Sequence, residues 1–184
     1  MTPSLIIFTD IGDTIIDESS EIRNEPYGVV LRASCIPGAR ETMLELHRQG
    51  YPIVMVADGM VESFHNTMKQ NGLTHIFSAE VISEALNSQK PASRMFQAAM
   101  DQLHLSDADK QRIIMVGNNV ERDVAGANRF GIHSVLLDWS PRYRYEPENK
   151  QEVPDYRIHS PADLLTLVEK LNAQLNQECK KAAV

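Results

Sequence analysis

Strand-sized apolar runs alternate with amphipathic segments along almost the whole chain, and no other feature constrains the fold as strongly. Such alternation makes βα units, and successive units build a parallel sheet covered by helices. Strands are expected at 5–9, 52–56, 79–82, 112–116, 134–137 and 156–158, and helices at 39–49, 61–71, 92–103, 120–130 and 161–177. Gly50, Gly72 and Gly131 follow three of these helices, where glycine suits a helix stop. Pro91 suits a first helical turn, and Ser160 can cap the last helix. The expected architecture is therefore α/β, a parallel sheet covered by helices. Right-handed crossovers bring the C-terminal ends of the strands to one edge, which collects Asp10, Asp58 and the segment 117–119.

The 184 residues, 42% of them hydrophobic and 23% charged, suffice for one domain with a single substantial core. That domain is expected to span 1–184, with its core at about 4–170 and a disordered tail at about 178–184. No apolar run approaches the ~20 residues needed to cross a bilayer, and no basic segment leads into an apolar core as in a secretory signal. Cys35 and Cys179 suggest neither a disulfide framework nor a zinc pattern, so a reducing cytoplasm is the expected compartment. The net charge of −7 argues against nucleic-acid binding, which draws on clustered Lys and Arg. Arg142, Tyr143, Arg144 and Tyr145 form one local basic and aromatic cluster, expected to pack its rings on the domain. Two connections, 18–37 and 141–154, are longer than usual, and long ordered loops often carry function.

The chemistry gathers at the strand ends. In Leu5–Asp17, LIIFTDIGDTIID, an apolar run stops on Asp10, which projects a carboxylate where open α/β sheets place ligands. Asp13 follows closely, but an extended backbone would point it to the other side from position 12. Lys90 and the group Asn118, Asn119, Glu121 and Asp123 complete the set. Carboxylates with a lysine suit phosphoryl transfer: oxygen ligands hold a divalent cation, and an ammonium takes up charge on the phosphoryl oxygens. Magnesium is the natural ion, since it prefers oxygen donors and keeps several waters. The six histidines show no ligand spacing, and the eight methionines read as core filler.

Asp10-Ile-Gly-Asp-Thr14 after a first strand, Val56-Ala-Asp-Gly59 after a second, Lys90-Pro91, and Gly117-Asn-Asn-Val-Glu-Arg-Asp123 after a fourth together resemble the four ordered motifs of the haloacid dehalogenase superfamily. The resemblance runs from about Ile6 to about Asp138. It implies a three-layer, Rossmann-like parallel sheet with helices on both faces, and a magnesium-dependent phosphatase that passes through an aspartyl-phosphate, acting on a phosphorylated small molecule or macromolecule. By the same resemblance, Asp10 is the nucleophile and Lys90 the charge-stabilising lysine. Ala57, Asp58, Gly59 and Lys90 would bind phosphate, while Asp10, the Gly12 carbonyl, Asn118 and Asp123 would hold Mg2+. The short gaps between motifs imply a member without a cap domain, leaving the two long loops, or a second copy of the chain, to form a rim.

Three departures from the family pattern bear on activity. Position 12, where the family carries an Asp that protonates the leaving group, is glycine; Ala57 lacks the phosphate-binding hydroxyl; Asn118 replaces an acid. General acid–base assistance contributes ~100- to 10,000-fold, so Gly12 implies better turnover of aryl or acyl phosphates than of sugar phosphates. The same departures admit an alternative, a catalytically degenerate member with a binding or regulatory role. A phospho-accepting receiver is disfavoured because two strand motifs follow Lys90. A metal-free dehalogenase leaves the acidic fourth motif without purpose, and a phosphonate hydrolase would rely on a cap lysine that the chain lacks.

Overall fold

A computed structural model describes residues 4–182 of the chain, with side chains to Glu178. In chain order the elements are β1 (Ile6–Thr9), β2 (Ile22–Arg23), β3 (Val30–Arg32), α1 (Ala39–Arg48), β4 (Ile53–Ala57), α2 (Val61–Asn71), β5 (Ala79–Ile82), α3 (Ser83–Leu86), α4 (Ser93–Gln102), β6 (Ile113–Gly117), α5 (Ala125–Phe130), β7 (His133–Leu137), β8 (Tyr156–Ile158) and α6 (Asp163–Ala182). Six strands form one sheet in the order β5-β4-β1-β6-β7-β8, and every neighbouring pair is parallel. All six expected strands are present, with ends shifted by a residue at most.

The strands are apolar on both faces because helices cover both. Ile7, Ile53, Met55, Ile114, Val116 and Val135 meet Met43 and Leu46 of α1, Met68 of α2, and Leu164 and Val168 of α6. Their chain neighbours Ile6, Phe8, Val54, Val56, Ile113 and Met115 point the opposite way, onto Met95, Phe96 and Met100 of α4 and Ala127 and Phe130 of α5. The period-two alternation of strand side chains thus divides the core into two layers. Phe96 and Phe130 stack with ring centroids 5.6 Å apart and join α4 to α5.

β1 lies between β4 and β6, and the chain runs outward from it to both edges. Such a switch in strand order opens a crevice beyond the strand C-termini. The loops after β1, β4 and β6 therefore converge on one place.

The structure departs from the expected elements in four places. The 18–37 connection contains a 3-10 turn at Glu18–Ser20 and the antiparallel hairpin β2–β3. The hairpin is held by α2, whose Ser63 Oγ accepts from the Val30 N–H (3.0 Å) and whose Asn66 Nδ2 donates to the Val30 carbonyl (3.1 Å). Gln70 and Asn71 grip Ala33 in the same way. Strands of two and three residues leave no readable period, and their partners lie in a helix far along the chain. The second departure is α3, a short helix directly after β5. The third is at 120–130, expected as one helix, which opens with a wide π-type turn at Val120–Val124 before α5. The last helix forms the fourth, running to Ala182 and so into the segment expected as a tail; residues 183–184 lie outside those described. No described helix is long and apolar enough to cross a membrane.

Candidate active site

Asp10 follows the last residue of β1, and its own N–H continues the ladder to the Val116 carbonyl (2.9 Å). The carboxylate stands at the floor of a cavity of about 330 Å³ and is 8% exposed. Lys90 approaches from the loop before α4 and is 4% exposed. Its Nζ lies 2.8 Å from Asp10 Oδ1 and 2.7 Å from Asp123 Oδ1, so one ammonium joins two carboxylates. Burial disfavours this ammonium, but the carboxylates of Asp10, Asp123 and Asp58 outweigh it and hold Lys90 above the ordinary lysine range. Burial likewise raises the Asp123 carboxyl, and Lys90 pulls it back.

The loops are built to deliver these groups. Asn119 caps the turn after β6, its side-chain oxygen accepting from the N–H groups of Glu121 and Arg122, both at 3.0 Å. The turn swings Asp123 back under β6, where its Oδ2 accepts from the Asn119 N–H (3.0 Å). A Cβ on Gly117 would overlap the Asp123 carboxylate, with Asp123 Cβ only 2.6 Å away, so close approach requires glycine there.

Asp58 has a part that the sequence left unread. Its Oδ1 accepts from the Lys90 backbone N–H (3.0 Å), and its Oδ2 lies 3.6 Å from Arg122. It thereby ties the loop after β4 to the loops that carry Lys90 and Asp123. Gly59 donates its N–H to Ser83 Oγ (2.9 Å), so Ser83, at the start of α3, also shapes this turn. Ala57 is wholly buried among the residues facing α1, α2 and α6, and offers the cavity no side-chain donor.

Asn118 is 1% exposed, yet neither its side-chain oxygen nor its nitrogen has a protein partner. Buried amides are rarely left so, and this one, next in the chain after β6, could offer its oxygen to a cation. With Asp10, Asp123 and the Gly12 carbonyl, it would offer a cation oxygen donors alone, as magnesium prefers and zinc does not. Among the described residues, no group of three or more His, Cys, Asp or Glu is arranged to hold a metal.

Asp13 lies apart from this chemistry. The backbone after Asp10 is a tight turn rather than extended chain, and Asp13 has a left-handed φ of 46°. Its wholly buried carboxylate accepts from the Glu18 N–H (3.0 Å) through Oδ1 and pairs with Arg142 (2.6 Å) through Oδ2. Arg142 also reaches Glu18 (3.3 Å), a carboxyl raised by burial and by Asp13. Glu18 and Gly12 share the cavity wall: a Cβ built on Gly12 would fall inside the Glu18 carboxylate, with Glu18 Cδ 3.0 Å away.

The rest of the basic and aromatic cluster is tied down as well. Arg144 pairs with Glu121 (3.0 Å) and Glu152 (2.8 Å), and Tyr145 bonds the Ser140 carbonyl. Tyr143 lies under Arg122, 5.1 Å from guanidinium carbon to ring centroid, and both line the cavity. Arg23 and Val30 of the hairpin also line the cavity, as do Met60, which precedes α2, and Phe64 of α2.

A family model described as haloacid dehalogenase-like hydrolase matches residues 8–137, the span that carries every motif above. The chain belongs to the haloacid dehalogenase-like hydrolases. Among curated relatives, the glyceraldehyde 3-phosphate phosphatase of Methanopyrus kandleri is 29% identical over 135 residues, which is 73% of this chain and 57% of that protein. The chain thus spans about half the length of the curated relatives it matches. Among solved structures, an HAD phosphatase from Thermococcus onnurineus superposes with a TM-score of 0.72 at 17% identity, covering 89% of this chain and 97% of that one. The HAD-hydrolase YfnB of Bacillus subtilis, solved bound to magnesium, superposes at 0.64 and 18% identity, covering 73% and 56%. These structural likenesses concern the fold.

Proposed function

We propose that this haloacid dehalogenase-like hydrolase is a magnesium-dependent phosphatase in which Asp10 attacks phosphorus. One observation carries the reading: a buried lysine joins Asp10 to Asp123 beside the cavity at the sheet edge. Lys90 orients the Asp10 carboxylate and presents positive charge where the equatorial phosphoryl oxygens would gather, the electrostatic help that phosphoryl transfer needs most. Asp58 fixes the backbone of Lys90, so the ammonium keeps its place as charge builds. Arg122 and Tyr143 line the outer wall and suit the remainder of an anionic substrate.

Asp10, the Gly12 carbonyl, Asn118 and Asp123 would hold Mg2+, with Asn118 contributing the amide that lacks a protein partner. When bound, the ion supplies Lewis-acid neutralisation of the phosphoryl charge. Support for that ion comes from the oxygen-only donor set and from the magnesium-bound relative of the same fold. A phosphorylated small molecule fits the cavity, and the activities named for the curated relatives are of that kind. We place the protein in the cytoplasm on the composition argument given above.

Gly12 and the buried Ala57 favour a second reading, a degenerate member that binds phosphorylated ligands without turnover. Assay of an aryl phosphate with and without magnesium, with Asp10→Asn as control, separates the two. Magnesium-dependent turnover that disappears in the variant is the expected result. A folded protein that binds magnesium but turns over nothing supports the second reading instead.

A further inference from the structure

Cleavage of a phosphate monoester leaves an alkoxide or phenoxide, and a poor leaving group departs slowly unless a positioned acid protonates it. The cavity offers few groups for that task. Its titratable lining comprises Asp10, Glu18, Glu21, Asp58, Arg23, Arg122 and Tyr143. Asp10 is engaged by Lys90, and Asp58 by the Lys90 amide and Arg122. Glu21 is paired with Arg23, and Tyr143 lies under Arg122.

Glu18 too has a partner, Arg142 at 3.3 Å from Oε2, but its Oε1 reaches the Gly12 space, and that place is distinctive. Its carboxylate fills the volume that a side chain at position 12 would occupy, two residues past Asp10 on the same cavity wall. The head group is held from behind: the Glu18 N–H is anchored on Asp13 Oδ1, and Arg142 lies 3.3 Å from Oε2. Oε1 is the oxygen directed into the Gly12 space. Asp17 caps the turn that begins at Glu18, so the backbone on which the side chain stands is fixed too.

We infer that Glu18 performs the acid–base step for this site, reaching across from the 3-10 turn to the position that Gly12 leaves open. This rests on the reading of Asp10 as the attacking carboxylate. As the Asp10 oxygen bonds to phosphorus and the bond from phosphorus to the leaving oxygen breaks, the Glu18 carboxyl gives its proton to that oxygen. Water then attacks the aspartyl-phosphate, the bond from phosphorus to Asp10 breaks, and the Glu18 carboxylate takes the proton from water. Charge and protons balance over the cycle, and Glu18 ends as it began. The preference for good leaving groups drawn from Gly12 then belongs to a Glu18 variant, not to the native chain.

The test compares the native chain, Glu18→Gln, and Gly12→Asp with Glu18→Ala, each with magnesium on one aryl and one alkyl phosphate. General acid–base assistance of ~100- to 10,000-fold should vanish from Glu18→Gln on the alkyl ester, with a much smaller loss on the aryl ester. The same variant, quenched during aryl phosphate turnover, should carry a phosphoryl group by intact mass, because dephosphorylation lacks its base. The double variant moves the carboxylate back to position 12 and should recover the native ratio between substrates. A purely structural Glu18 would lower both activities in parallel, with no trapped phosphoryl group and no recovery, and that outcome overturns the proposal while leaving Asp10 as nucleophile. A native chain inactive on both esters overturns the two together.

Discussion

Lys90→Met removes a buried ammonium from between two carboxylates while nearly keeping its length. Nothing else described lies within ion-pair distance of Asp123, and Asp10 loses its only ion pair as well. Breaking a buried pair by deleting one partner costs ~3–5 kcal/mol, because the remaining charge stays buried. For a chain of this size each kcal/mol shifts the midpoint by ~2–4 °C, so the variant should melt ~6–20 °C lower at pH 8 in a metal chelator. The pH dependence follows by linkage. In the native protein, Lys90 titrates above its ordinary 10.5, so its stabilisation is fully present at pH 8 and is lost only as pH rises through the raised value. Without the ammonium, burial leaves the folded Asp58 and Asp123 holding protons more tightly than their unfolded counterparts. The variant therefore gains stability as pH falls, and its deficit should narrow between pH 8 and pH 5, the range in which Asp123 already titrates at about 6. Urea unfolding at both pH values measures this. A loss under ~1 kcal/mol, or a deficit that widens in acid, would show that the cluster is not organised around Lys90.

Magnesium at a hundredfold excess over its Kd should stabilise the native chain by ~2.7 kcal/mol, a rise of ~5–10 °C by scanning calorimetry; an equal rise in Asn118→Leu would place the ion elsewhere. Gly117→Ala drives a methyl into the Asp123 carboxylate and should cost ~1–3 kcal/mol by overpacking; a neutral effect in denaturant titration would refute that contact. Asp13→Asn removes the charge that Arg142 meets at 2.6 Å, a charged hydrogen bond worth ~1.5–3 kcal/mol. Thermal melts that match the native chain would show that pair to be idle.

The sheet was legible because each strand is an apolar run bounded by turn residues; Asp10 and Asn118 follow β1 and β6 directly, whereas Lys90 lies beyond α3 and Asp123 inside the turn 120–124, and these two were read from the order of the motifs. Asp58 was read for its backbone amide, but its carboxylate, bonded to the Lys90 amide, depends on a loop contact across 32 residues that no local pattern carries. Ser83 was missed for the same reason. Asp13 turns away from position 12 as anticipated, yet through a left-handed turn rather than the alternation of extended chain. Glu18 was hidden inside an apparent connection, because the hairpin and turn that aim it are stabilised by side chains of α2 and by Arg142 from another loop. Gly12 was read only as the loss of an acid, whereas the Glu18 carboxylate fills the space that a Cβ there would take.

Nucleophilic attack by Asp10 can be tested without knowledge of the natural substrate. The native chain, mixed with magnesium and an acyl or aryl phosphate and quenched rapidly, should carry a phosphoryl group that peptide mapping places on Asp10. Asp10→Asn should carry none. A chain that hydrolyses the ester without labelling, or one labelled at another residue, would contradict Asp10 as the attacking group.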